Sequence, residues 1–356
     1  MEFQLPIKIN TLPDPVTYRD NILLVGSCFT EHIGNKLQEL KFNVLQNPNG
    51  ILFDPQSVAS SLVSYIQNRQ YTEADLFYLN ELWQSWQHHS IFSNTDKEAC
   101  LKKINDSQRR AHEFLKNASC IIVTLGSSFS YRLTDLTPNP SPTSSGLRPP
   151  SPTMAKGSGS ESKGEGSLKA VANCHRAPAQ WFNKHLMGIE ETNAALDNCI
   201  HQLLHFNPKL KIIFTVSPVR HIRDGVVENN RSKARLIEVV HNLVNKFDRL
   251  YYFPAYELVI DVLRDYRFYD IDMVHPNYPA TEFVLEKFIQ FCVDEPSQQI
   301  MEEVKKIVIA AKHKAFQPAT NAHKQFLLAH LDKTKELQQK YPFLNLEEEI
   351  KYFDGK

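Results

Sequence analysis

Residues 22–31 read Ile-Leu-Leu-Val-Gly-Ser-Cys-Phe-Thr-Glu. Residues 22–25 are all apolar and end at Gly26, so no position in the run is suited to face water. A strand apolar on both faces belongs inside a parallel sheet whose two sides are covered by helices. Phe29, Ile33, Leu37 and Leu40 then recur at helical spacing and give the next element one inner face. Two potential nucleophiles, Ser27 and Cys28, stand at the junction. Strand, sharp turn, nucleophile and helix is how several hydrolase folds present a reactive side chain at the carboxyl edge of a sheet.

Similar units follow along the chain. Residues 120–126, Cys-Ile-Ile-Val-Thr-Leu-Gly, form a second buried strand ending in glycine, and 129–132 are expected to continue it. Residues 211–216, closed by Ser217-Pro218, give a third strand, and 251–253 a fourth. Helical patterns occupy 189–205, 232–247, 257–263 and 280–293. Buried strands alternating with helices argue for a parallel α/β sheet.

Other stretches are punctuation or additions. Pro6, Pro13 and Pro15 mark an extended lead-in, and Asn47-Pro48-Asn49-Gly50 is a dense turn signal. Residues 56–118 read as a mostly helical insertion, with Trp83 to Ser90 as a short strand or loop. Residues 134–168 are dominated by Pro, Ser and Gly and cannot build a core. They read as a disordered loop spliced into a hairpin of one domain, 1–296. From 297 onward charged helices with apolar faces, such as Ile300, Val304, Ile307 and Val308, predict a helical C-terminal extension. Its default is docking onto the core.

The totals narrow the function classes. Of 356 residues 42% are hydrophobic, and 40 basic residues balance 40 acidic ones. No field favours a polyanion, so neither nucleic acid nor membrane is expected as a partner. The six cysteines contain no C-x-x-C pair, which excludes a zinc ribbon or thioredoxin-like motif, and they read as reduced thiols. No signal-peptide pattern opens the chain, and no window approaches the roughly 20 apolar residues of a membrane span, so a soluble cytoplasmic protein is expected. His201-Gln-Leu-Leu-His205 lacks the Glu of a zincin motif, and there is no P-loop or G-x-G-x-x-G. No metal and no cofactor are expected.

Chemistry concentrates in Ser27-Cys28 and Asp272-x-x-His275. A nucleophile needs a base within hydrogen-bond reach, and the base needs an orienting acceptor. Asp and His three residues apart fit one loop or helical turn, where the carboxylate sets the imidazole tautomer. The plainer account is that Ser27 caps the helix, Cys28 is a small packed residue and His275 an ordinary loop histidine.

Gly26-Ser-Cys-Phe-Thr-Glu31, Trp83 with His88-His89-Ser90, Val171-Ala-Asn-Cys-His-Arg176, Thr215-Val-Ser-Pro-Val-Arg-His221 and Asp272-Met-Val-His-Pro276 occur in order. Together they strongly resemble the GSCFA domain family, which looks like a branch of the SGNH/GDSL hydrolases. The resemblance spans roughly residues 3–292, interrupted by 134–168. It implies a three-layer flavodoxin-like parallel sheet and metal-free ester hydrolysis or acyl transfer. The substrate it implies is a small or saccharide-linked acyl ester, cleaved through a covalent acyl-enzyme. The superfamily pattern Gly-Asp-Ser-Leu-Thr-Glu falls on residues 26–31 and puts Cys28 at the nucleophile; a one-residue shift presents Ser27. His275 becomes general base and then acid, and Asp272 its orienter. Gly50 and Gly126 become oxyanion positions. The usual Gly-x-Asn-Asp falls on residues 126–129, which lack the Asn, so Asn173 is its substitute, with Asn47 and Asn49 as further candidates. His88 or His89, Arg220 and His221 are expected on the substrate side. The competing class is a non-catalytic binding protein that keeps the fold.

Overall fold

The structure is a computed structural model that describes residues 5–134 and 170–355. Apart from Thr134, the Pro/Ser/Gly-rich stretch lies outside the described residues.

β1 (Asn21–Gly26) leads into α1 (Cys28–Glu39) and β2 (Asn43–Gln46). The chain then crosses the sheet through α2 (Pro55–Ile66), a hairpin of β3 (Phe77–Leu79) and β4 (Leu82–Gln84), and α3 (Lys97–Lys116). β5 (Cys120–Leu125) is followed by β6 (Phe129–Leu133), β7 (Ala170–Val171) and β8 (Phe182–Leu186). Next come α4 (Ile189–Phe206), β9 (Lys211–Val216), α5 (Val226–Lys246) and β10 (Leu250–Tyr252). A single turn, α6 (Ala255–Glu257), continues as π-helix over Leu258–Leu263, and α7 (Tyr278–Cys292) closes the α/β part. The C-terminal helices are α8 (Glu295–Lys312), α9 (Asn321–Lys340) and α10 (Glu347–Phe353).

The central sheet is wholly parallel, in the order β2-β1-β5-β9-β10. From β1 the chain steps outward to β2 and returns to β5 on the other side. The direction of strand addition therefore reverses between β1 and β5, and ligands of open α/β sheets bind at that point, outside the carboxyl ends. The apolar run in β1 divides by parity. Ile22 and Leu24 join one apolar cluster with Phe29 and Ile33 of α1, while Leu23 and Val25 join another with Leu62, Leu203 and Leu243. Each buried aliphatic side chain contributes about 1.5–3 kcal/mol, so a one-residue slip of β1 would misplace all four.

Several differences from the sequence reading have local causes. Residues 129–132 do not extend β5. Ser128 turns the chain by donating its amide to Ser232 Oγ (2.7 Å), and β6 pairs antiparallel with β7 and β8. Residues 56–118 are helical at both ends, with the β3–β4 hairpin between, and they form the crossover from β2 to β5. β2 and β8 were not expected, because Asn43-Val-Leu-Gln46 and Phe182-Asn-Lys-His-Leu186 lack a continuous apolar run.

The C-terminal helices are docked. Ile300, Val304, Ile307, Leu331, Leu337 and Phe353 belong to the same cluster as Ile22 and Leu24. Lys41, in left-handed backbone after α1, pairs with Glu349 of α10 (2.6 Å). At the amino edge of the sheet Lys211 is 3% exposed; it donates to the carbonyl of Pro15 (2.8 Å) and lies 3.4 Å from the Asp20 carboxylate. Among the described residues no helix is long and apolar enough to cross a membrane.

Candidate active site

The carboxyl end of β1 is brought hard against β5. Gly26 has φ +146°, and a Cβ there would stand 2.1 Å from the Thr124 carbonyl oxygen. Only glycine tolerates this approach, and α1 starts two residues later. Ser27 is the N-cap of α1 and is fully enclosed; its Oγ has no hydrogen-bond partner among the described residues. Cys28, the first residue of the helix, is partly exposed. Burial pushes its thiol above the ordinary value, while the amides of Phe29 and Cys28 pull it down; Glu31 opposes and Lys233 assists ionisation. Those amides are orphan donors of the first helical turn, which favours negative charge at this spot.

The second component is the loop between the π-helix and α7. Asp272 Oδ1 accepts the amides of Val274 (2.9 Å) and His275 (3.0 Å), and Oδ2 meets His275 Nδ1 at 2.6 Å. These bonds from the His275 amide and ring and the Val274 amide hold the Asp272 carboxyl down at about 2. With the carboxylate accepting at Nδ1, the network assigns the proton to that nitrogen and leaves Nε2 as the basic atom. The His275 side chain is 45% exposed. Its loop is tied to the segment that follows β9 by the Arg220 amide, which donates to the Val274 carbonyl (3.2 Å). Among the described residues no hydrogen bond joins the His275 ring to Ser27 or Cys28.

The segments that follow β2 and β9, and α5, add groups of mixed expectation. Arg220 stacks its guanidinium over Tyr269 (4.5 Å) and Tyr266 (5.4 Å) and has no carboxylate partner among the described residues. His221 packs edge-on to Phe53, and its Nε2 is buried without a partner. Burial, then the charges of Lys233 and His275, hold its ring down at about 4, so it is neutral at pH 7. Sequence reasoning missed Lys233, which is 1% exposed and donates to the carbonyls of Gly126 and Ser217 (both 2.6 Å). The available signal was its place on the inner stripe of α5, in step with Leu236, Val240 and Leu243. It also missed Asp54, a buried carboxylate that caps α2 through the Ser57 amide (3.0 Å); burial raises its pKa.

The expected oxyanion positions have their amides engaged. Gly50 (φ +78°) donates to the Asn47 carbonyl (2.7 Å), and Gly126 to the Phe53 carbonyl (2.8 Å). Neither amide is free for a developing oxyanion. Asn173 Oδ1 accepts the His175 amide (2.8 Å), which leaves its Nδ2 as donor. Asn47 Oδ1 accepts the Gly26 amide (2.9 Å), and Asn49 bonds Tyr65 and Gln87. The adjacent histidines diverge. His88 is 1% exposed in a cage of Tyr71 and Phe92, and burial holds it down at about 3. Enclosed in this way, it has no surface for a substrate. His89 is half-buried against Gly50, and its ring, like the Cys28 thiol, feels Glu31. A polar pocket of about 360 Å³ adjoins the Asn49 turn, lined by Ser57, Ser61, Arg69, Tyr71, Gln87 and Arg132 among others. Its arginines pair with Asp75 and Glu191.

The profile described as the GSCFA family matches residues 21–139 and 161–288. The profile described as the GSCFA domain protein, C-terminal domain, matches residues 304–356. A search of curated proteins finds no match.

Proposed function

The chain belongs to the GSCFA family, and we propose that it is an SGNH-like hydrolase that cleaves or transfers a small or saccharide-linked acyl group through a thioester on Cys28. The observation that carries this reading is the Asp272–His275 pair, closed at 2.6 Å on a loop bonded to the segment that follows β9. Cys28 is preferred to Ser27 because its side chain is partly exposed at the N-terminus of α1, whereas Ser27 is enclosed.

In this mechanism the Cys28 thiol proton passes to His275 Nε2 as sulfur adds to the ester carbonyl. The amides of Cys28 and Phe29 receive the oxyanion, with Asn173 Nδ2 as a third donor. The carbon–oxygen bond to the alcohol breaks, and the imidazolium returns its proton to the departing oxygen. Water then gives a proton to His275 while its oxygen adds to the thioester; the thiolate leaves and is reprotonated. An acceptor alcohol in place of water makes the same steps a transfer. Arg220, free of carboxylates, and half-buried His89 are the proposed substrate contacts, with His221 as a neutral polar wall. The hydroxyl- and amide-lined pocket beside Asn49 favours a saccharide over an apolar group.

A second reading has its own support. The engaged amides of Gly50 and Gly126 shrink the oxyanion hole, as in a binding protein that no longer hydrolyses. Hydrolysis of p-nitrophenyl acetate separates the two. Loss of activity in both Cys28→Ala and His275→Ala, with Ser27→Ala active, is the expected result. Equal rates in all variants would remove the site, and loss in Ser27→Ala alone would move the nucleophile.

A further inference from the structure

Arg220, just past β9, stands at the foot of the hairpin that carries Asp272 and His275. That hairpin closes through the bridge between Tyr269 and Pro276, and the Asp270 amide donates to the His275 carbonyl (2.8 Å). Arg220 holds both of its arms. Its amide donates to the Val274 carbonyl (3.2 Å), and its guanidinium lies over the Tyr269 ring at 4.5 Å, with the Tyr266 ring at 5.4 Å. Stacking fixes the plane of the cation but satisfies none of its in-plane N–H donors. Among the described residues no acceptor bonds the guanidinium. The carboxylates of the hairpin and its approach are engaged elsewhere or face water: Asp265 pairs with Arg267 (3.1 Å), Asp272 with His275, and Asp270 is exposed. Two further polar atoms in this segment pair lack a partner among the described residues. They are Tyr269 Oη, on a residue 7% exposed, and Nε2 of His221, the next residue along.

We propose that Arg220 and Tyr269 form an anion site beside His275, which takes a carboxylate or phosphate group carried by the substrate. Its part in turnover rests on the hydrolase reading; anion binding itself does not. The guanidinium fork matches two oxygens of either group, and charge-assisted bonds of this kind are the strong ones. A partly buried cation without a counter-ion carries a desolvation cost that an anionic ligand relieves. The Tyr269 hydroxyl supplies a further donor from the ring on which the fork rests. Because Arg220 is bonded to the residue before His275, an anion held there fixes the rest of the molecule at the base. The substrate class is thereby narrowed from acyl esters in general to esters that carry a negative charge.

The test follows the Nε–Hε resonance of Arg220 in the full chain labelled with ¹⁵N-arginine, assigned by its loss in Arg220→Gln. Benzoate and inorganic phosphate are titrated separately, with sodium chloride at matched ionic strength as reference. The expected result is a saturable shift with at least one of the two anions and none with chloride, and the anion that saturates at the lower concentration names the group. A resonance that moves no further with either anion than with chloride overturns the proposal. Tyr269→Phe keeps the stacked ring and should weaken binding about fivefold through the lost hydroxyl; unchanged affinity would remove that hydroxyl from the site. Turnover provides the second readout. The ratio of kcat/KM for 4-acetoxybenzoate to that for phenyl acetate should fall about tenfold in Arg220→Gln. Anion binding in a wild type that cleaves neither ester would uphold the site and reject the hydrolase reading, and cleavage without anion binding would do the reverse.

Discussion

The two buried lysines stand at opposite edges of the same sheet and are treated differently. Lys211 opens β9 at the amino edge and meets two backbone carbonyls and the Asp14 and Asp20 carboxylates. Lys233 reaches the carboxyl edge and meets two carbonyls, with no carboxylate among the described residues. A buried charge costs several kcal/mol unless it is paired. At the amino edge that cost is offset within the lead-in, whose other contacts are structural. At the carboxyl edge, among the described residues, it is left open, and the same edge holds a partly exposed thiol, an arginine without a carboxylate and a histidine with an unpartnered nitrogen. One edge serves to hold the chain, and the other is where the proposed chemistry would take place.

The largest expected effect tests that division directly. His275→Ala should lower kcat/KM for p-nitrophenyl acetate by about 10²–10⁴-fold, the range for a lost general base. Its melting temperature should stay put because the side chain is 45% exposed. Lys211→Met should do the reverse. It leaves Asp20 with the Thr17 amide alone (2.7 Å) and should cost about 1–3 kcal/mol in urea unfolding, with turnover per folded molecule unchanged. A stability loss in the first variant, or a turnover loss in the second, would break the contrast between the edges.

Glycines sharpen it. At Gly50 an added Cβ would fall 2.2 Å from His89 Cβ, in backbone at φ +78°. Gly50→Ala should therefore displace His89 and cost about 2–3 kcal/mol, backbone strain included. At Gly225 nothing lies within 4 Å, but φ +92° and ψ 161° fall in a region open only to glycine, so Gly225→Ala should cost about 1–3 kcal/mol through strain alone. His89 ring signals that do not shift in the NMR spectrum of Gly50→Ala would mean that the Gly50–His89 contact carries no energy.

The smallest effects are graded with pH. His88 and His221 are held at about 3 and about 4, below the ordinary 6.5. Below pH 6.5 the unfolded chain binds protons that these rings refuse, so stability should fall as pH drops toward 4. His88→Phe should flatten part of that slope in melting curves. Asp272 stays ionised to about 2 and so cannot produce an acid limb of activity above pH 3. A carboxylate-like limb that vanishes in Asp272→Asn would contradict this.

The sheet was legible because its evidence is local. Four apolar residues before Gly26 demand cover on both faces, and the structure divides them by parity. The Asp272–His275 pair was legible because three residues of spacing suffice to close it. What escaped depends on distant partners. The turn that separates β6 from β5 relies on Ser232, 104 residues away. Whether the Gly126 amide is free depends on the Phe53 carbonyl, and which of His88 and His89 turns inward depends on Tyr71 and Phe92. Lys233 was unremarkable in sequence, because a lysine on an apolar stripe usually extends its head to water; here α5 points it into the sheet's edge.

The pairing of β6 with β7, Arg132 opposite Ala170, has a consequence for how the protein could be divided. A protease cut between 135 and 169 would leave two fragments, with β1, β2 and β5 in one and β9 and β10 in the other. They would still share the β5–β9 ladder, from Cys120↔Lys211 to Leu125↔Val216, and the β6–β8 ladder. Cys28 would travel with the first fragment and Asp272, His275 and Lys233 with the second. If Cys28 and His275 act as proposed, fragment complementation would be self-reporting, since thiol and base on separate fragments would act together only after the halves had rebuilt the sheet.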